Sequence, residues 1–156
     1  MGAIEDRIKE LGHTLPAPGA PGGNYVPTVA VPSAGMMYTS GNVARRPDGT
    51  MIAGKLGADL TIEEGYAAAQ VTVLNLLAAL KAGLGELDRI NKVVKLLCMV
   101  NSTPDFGDQP AVANGASDLL VEIFGDKGRH ARSAVGVASL PGGVCIEIEM
   151  IVEVSN

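Results

Sequence analysis

"HARSAVGVASLPGGVCIEIEMIVEV", residues 130–154, is the stretch on which the fold of this 156-residue chain turns. Two segments of extended character flank Leu140-Pro141-Gly142-Gly143. In the later one, Val144, Ile146, Ile148, Met150, Val152 and Val154 alternate with Cys145, Glu147, Glu149, Ile151 and Glu153. A period of two separates the faces of a strand, so the valine–isoleucine set forms a core face and the glutamate-bearing set points away from it. In the earlier segment Ser133, Val135 and Val137 alternate with Arg132, Ala134, Gly136 and Ala138. Read as a hairpin with a two-residue Gly142-Gly143 turn, opposed residues have numbers that sum to an odd value. Val135 and Val137 then join Ile146 and Ile148, and Arg132 joins Glu147 and Glu149. A slip of one residue would turn the carboxylates inward. The expectation is a charged face with a bare floor of Ala134, Gly136 and Ala138, open to a ligand or another chain. The plainer alternative is a solvated face whose charges do nothing more.

Upstream, Thr61 and Glu64 form a capping-box pattern, and Tyr66, Val73, Leu76, Leu77, Leu80 and Leu84 recur on one helical face until Gly83 and Gly85. A second helix is expected from about Pro110 to Phe124, between an Asp108 N-cap and a Gly125 stop. Between them, Ile90, Val94, Leu96 and Cys98 read as a strand with a slip at Lys92. "TVAVPSAGMMYTSG" reads as two short strands around Ser-Ala-Gly, followed by a loop with a turn at Pro47-Asp48-Gly49. The order ββαβαββ predicts an α+β domain: a mixed sheet with two helices packed on one face. Residues 1–22 read as a short helix closed by Gly12 and a Pro/Gly connector, with 23–156 as the domain proper.

The bulk numbers exclude several classes. An apolar content of 47% suits a packed core rather than a disordered chain. A net charge of −5, with no basic cluster interleaved with aromatics, argues against nucleic acid as a partner. No apolar run is read as long enough to span a bilayer, and the charged N-terminus resembles neither a signal peptide nor a myristoylation signal. Cys98 and Cys145 have no Cys or His partner at metal-ligand spacing, so two packed thiols, no metal site and a cytoplasmic setting are expected.

These stretches, with "NYVPTVAVPSAGMMYTSGNV" (24–43) and the helix and strand between, resemble the Rid/YjgF family of reactive-intermediate deaminases, often labelled endoribonuclease L-PSP. The resemblance covers roughly Gly23 to Val154. It implies a chorismate-mutase-like fold, here a ferredoxin-like ββαβαββ arrangement, assembled as a homotrimer with clefts between subunits. It further implies that Arg132 grips the carboxylate of an amino-acid-derived enamine or imine. Glu147, with the carbonyl of Ala134, would hold the attacking water, and Tyr25 would face the ligand. No cofactor is implied. Ala134 departs from the Cys or Ser of many active members, and "VNSTPDFGDQP" (100–110) from the commoner loop, as in a divergent subgroup.

The residue types suit that chemistry. A planar guanidinium holds a carboxylate by two charge-assisted hydrogen bonds, and a carboxylate near a positioned water serves as general base. His130 could face the ligand from Arg132's side, or be an interface or solvent histidine. "GTMIAGKL" (49–56) nearly matches a phosphate-binding loop but lacks its Ser/Thr and an immediate helix. Arg45 and Arg46 read as loop charges, or the rim of a cleft. Two other functions remain open at this level: a non-catalytic module binding a small carboxylate or carbonyl metabolite, and a ribonuclease, which fits an acidic chain poorly.

Overall fold

The computed structural model describes residues 2–155. The chain runs α1 (Ala3–Glu10), β1 (Thr28–Val31), β2 (Met36–Thr39), β3 (Asn42–Val43), α2 (Ile62–Leu84), β4 (Ile90–Asn101), α3 (Gln109–Phe124), β5 (Ala131–Val137) and β6 (Ile146–Val154). All six strands join one mixed sheet in the order β1-β2-β6-β4-β5, with β3 pairing β6 beyond the end of β2. The helices cover one face. The α+β class expected from the element order is observed, as is the chorismate-mutase-like fold that the resemblance implied, with α1 as a third helix and β3 as a short strand the expected order lacked.

Helix α2 begins where the capping box placed it. Thr61 Oγ1 accepts from the Glu64 amide at 3.2 Å, and the Glu64 carboxylate accepts from the Thr61 amide at 2.8 Å. It ends at Gly85, whose φ of 86° an L-residue adopts only under strain. Ala68, Ala69, Leu76, Leu77 and Leu80 are fully buried against the sheet and α3. The two helices meet at backbone distance: a Cβ on Gly115 would lie 2.1 Å from the Tyr66 carbonyl oxygen. One expectation is corrected here. This 23-residue helix contains an 18-residue stretch with a mean hydropathy of 1.5, long and apolar enough to cross a bilayer by length and composition alone. More than half of that stretch is buried within the protein, as in a core helix.

Strand β4 corrects another detail. Its ladder with β6 shifts register between Ile90 and Lys92 and again between Val93 and Lys95. The slip seen at Lys92 is thus a pair of irregularities, and Val93, not Val94, enters the core beside Leu96, Cys98 and Val100.

The main correction concerns the supposed hairpin. Strands β5 and β6 do not pair; β4 lies between them, parallel to β5 and antiparallel to β6. The physical reason is the crossover helix. β4-α3-β5 is a βαβ unit, and a 16-residue helix returns the chain to lie parallel beside the strand it left. The segment through Pro141–Gly143 then carries the chain over the end of β4. Register consequently passes through β4: Arg132 pairs with Leu96, which pairs with Met150. Leu96 and Met150 belong to the core face. Arg132, Ala134 and Gly136 therefore lie on the helix side, while Val135 shares the opposite face with Met99 and Glu147.

Helix α1 packs on α3 through Ile8, which is buried in the common core. Its Glu5 carboxylate is also buried and receives the Lys81 ammonium at 3.1 Å. Burial opposes ionisation of Glu5, but the Lys81 hydrogen bond and nearby backbone amides outweigh it and hold the carboxyl below its ordinary range.

Candidate functional site

The residues singled out from sequence fall into two groups on opposite faces of the sheet. Arg132 opens the exposed edge strand β5 and reaches toward α3. Its Nη1 donates to Asn114 Oδ1 and Ser117 Oγ, both at 3.0 Å, and its Nη2 donates to the Pro110 carbonyl at 3.4 Å. Every one of these partners is neutral. Among the described residues no carboxylate lies within ion-pair distance, so the positive charge is available to an anion.

His130 stands two residues earlier on the same side. Its Nδ1 lies 2.6 Å from the Gly128 carbonyl and its Nε2 lies 2.9 Å from Ser117 Oγ. Burial, with Arg132 and Lys92 nearby, lowers its affinity for a proton despite the Gly128 hydrogen bond. Ala134 lies on this face opposite Cys98, half-buried against the core. Asn114 and Ser117 were not anticipated. They sit three residues apart on α3, the i, i+3 spacing that brings two side chains to one spot, but only the position of β5 gives that stripe a partner.

Glu147 occupies the other group. With Tyr25 it lines an open cavity of about 490 Å³, together with Ser40, Gly41, Asn42 and Arg45. Two of the expected residues are thus brought together. Gly41 abuts the carboxylate so closely that a Cβ there would lie 2.1 Å from Glu147 Oε1. Partial burial raises the Glu147 pKa above its ordinary value, and Glu149, two residues along the same face, raises it further. A carboxylate poised in this way is a credible proton acceptor in a cleft. Arg45 enters the site on the cavity wall, the cleft-rim alternative of its sequence reading; the proximity of a Pro/Gly connector folded back from residues 19–27 could not be seen in sequence.

Arg132 and Glu147 therefore do not share a face in one chain, contrary to the hairpin expectation. The register through β4 separates them. Lys55 of the near phosphate-loop sequence is tied to the strand ends, donating to Asn101 Oδ1 at 2.7 Å and to the Ala138 carbonyl, and helix α2 starts seven residues later. Both cysteines are buried, with burial pushing each thiol up to about 11. They remain protonated thiols near neutrality and are poor nucleophiles. No cluster of three or more His, Cys, Asp or Glu able to hold a metal occurs among the described residues.

A six-stranded mixed sheet with helices on one face and a tyrosine–carboxylate cleft beside β3, reached also by Asn75 and Ala79 of α2, defines a small α+β protein of the chorismate-mutase-like class. The family model described as "YjgF/chorismate_mutase-like, putative endoribonuclease" matches residues 5–153. The chain belongs to this family. It is 46% identical to Protein TCP17 of Trypanosoma cruzi, over 99% of this chain and 96% of that one. Among solved structures it resembles one described as a "putative endoribonuclease" from Shewanella oneidensis MR-1, with 36% identity, a TM-score of 0.92 and coverage of 98% and 100%. It also resembles E. coli TdcF with bound serine, at 27% identity and a TM-score of 0.64, over 92% of this chain and 97% of TdcF.

Proposed function

We propose that this protein hydrolyses reactive enamine or imine derivatives of amino acids to keto acids and ammonia, in a cleft completed between copies of a homotrimer. The observation that carries the proposal is the division of charge. Arg132, uncompensated on the helix side of an edge strand, suits a substrate carboxylate. Glu147, with its raised pKa in the Tyr25 cavity, suits a water. Since one chain holds them on opposite faces, the working site takes Arg132 from one copy and Glu147 with Tyr25 from the next.

The steps need no further reagent. With the carboxylate gripped by Arg132, water attacks the electrophilic C=N carbon while Glu147 accepts its proton. The nitrogen is protonated in turn, the C–N bond of the resulting carbinolamine breaks, and ammonia leaves as the C=O forms. Positioning supplies much of the acceleration, because an iminium carbon is already electrophilic. The serine held by TdcF supports an amino-acid-like ligand for this architecture. A cytoplasmic, reducing setting agrees with two unpaired, buried thiols.

Arg45 supports another possibility. It lines the same cavity as Glu147, so a carboxylate ligand could be held within one chain, as in a metabolite-binding module. The family's endoribonuclease label finds less support, given the net charge of −5.

The test generates imino acids in situ and follows semicarbazone formation with and without protein. Accelerated loss of the imine supports hydrolysis. No acceleration for any imine, with keto-acid binding retained, assigns the cleft to binding alone.

A further inference from the structure

The cluster around Ser117 contains chemistry that imine hydrolysis does not use. The Gly128 carbonyl can only accept a hydrogen bond, so His130 Nδ1, at 2.6 Å, carries the proton. In the neutral ring Nε2 is then a bare lone pair. Ser117 Oγ, 2.9 Å away, therefore donates its proton to His130. On its other side Ser117 Oγ accepts from Arg132 Nη1 at 3.0 Å. A hydroxyl whose proton points at an imidazole and whose lone pair faces a guanidinium is biased toward alkoxide: the base receives the proton and the cation stabilises what remains.

We propose that Ser117 is a nucleophile of a Ser117–His130 dyad oriented by the Gly128 carbonyl, directed at acyl or phosphonyl electrophiles whose developing oxyanion is taken up by Arg132. The parts match the general requirements for such a site. The nucleophile contacts its base, the base is fixed in one tautomer by a third group, and an anion donor lies beside the nucleophile. The third group here is a neutral carbonyl rather than a carboxylate. It selects the tautomer but stabilises the imidazolium less, so a modest rate suited to activated esters is expected. The ligand's oxygen replaces Asn114 on Arg132 as it binds, and Ser117 Oγ keeps its contact with Nη1 until it attacks. Ser117 Oγ then bonds to the acyl carbon, the carbon–oxygen bond to the leaving alcohol breaks, and the Ser117 proton passes through His130 Nε2 to that alcohol. Water reverses the sequence and frees the acid. All the named groups lie in one chain, so the proposal does not depend on the trimeric cleft or on imine hydrolysis.

The charged groups bearing on His130 are Arg132 on β5 and Lys92 on β4. Both disfavour the imidazolium, as does burial, so the neutral, proton-accepting ring persists to more acidic pH than for a free histidine.

The experiment treats the full-length protein with a fluorophosphonate probe and reads the adduct by intact mass and peptide mapping. In the labelling step an Oγ–P bond forms, the P–F bond breaks and fluoride departs while His130 takes the proton. One adduct at Ser117 is expected, with a labelling rate that rises through a single midpoint below pH 6.5. Ser117→Ala should remove the adduct. His130→Gln should slow labelling at least about 100-fold, and Arg132→Lys about 10-fold. Circular dichroism melting of each variant verifies that it is folded. Absence of any Ser117 adduct in the folded wild-type protein, or labelling of a folded His130→Gln variant at the wild-type rate, overturns the assignment.

Discussion

The two sides of the sheet differ in more than charge sign. On the α3 side Arg132 is surrounded by an amide oxygen, a hydroxyl and a carbonyl, so its charge is oriented but not neutralised. On the far side Glu147 is crowded by Gly41, burial and Glu149, all of which disfavour its anion or restrict it. Each side holds one of the two groups that the proposed hydrolysis assigns to substrate and water, with Arg45 as a second cation on the Glu147 side. An uncompensated cation and a carboxylate eased toward neutrality are complementary, which is the physical basis for the proposed site shared between copies.

The largest effect should come from the cation. Arg132→Ala is expected to lower imine hydrolysis by about 100-fold or more, since a charge-assisted, two-point contact to the substrate is lost. Arg45→Ala should be measured beside it. Carboxylate binding that survives Arg132→Ala and vanishes in Arg45→Ala would move the anchor to the Glu147 cavity and close the site within one chain.

A complementation assay comes next. Arg132→Ala and Glu147→Gln chains, each inactive alone, are co-expressed with different tags and the mixed trimers isolated. If each site draws one residue from each neighbour, every mixed trimer holds one intact site in three, and activity should return to about one third of the wild-type level. No recovery, with mixed trimers demonstrated, would mean that both residues act from the same chain or not at all.

Gly41→Ala tests the crowding of the carboxylate. The new methyl must push Glu147 aside, so kcat is expected to fall about 10-fold, with a melting temperature close to wild type because Gly41 is exposed.

The smallest effect concerns pH. With Glu147 acting as a base, activity requires its deprotonated form and falls as pH drops through a midpoint above the ordinary glutamate value of 4.5. Glu149→Gln removes a neighbouring negative charge, so the acid limb should move to lower pH while the plateau rate stays unchanged. A shift in the other direction would remove Glu147 from the base role.

Much of the architecture was legible in local sequence. The Thr61/Glu64 box, the Gly125 stop and the alternation from Ile146 to Val152 each depend on residues a few positions apart, and each is observed as expected. Tyr25 and Glu147, each singled out by the family resemblance, line one cavity. The relation of Arg132 to Glu147 was not legible. It depends on which strand lies beside which, and Leu140-Pro141-Gly142-Gly143 resembles a hairpin turn although it carries the chain across β4. Gly142 and Gly143 do adopt positive φ, so the local turn chemistry was read correctly and the pairing was not. Asn114 and Ser117 were missed for the same reason: a polar stripe on a helix is unremarkable until an edge strand brings a guanidinium and an imidazole to it.

By itself, then, the sequence determined the elements, their order, the core face of β6 and the candidate residues, because periodicity and capping are short-range constraints that any surrounding structure must respect. Tertiary structure alone decided that α3 returns the chain parallel to β4, placing β5 at the sheet edge and reversing the side on which Arg132 projects. The reason is geometric. A strand's two faces are interchanged by a single step of register, and that step is set by pairing with β4, far back in the chain, rather than by the turn between β5 and β6.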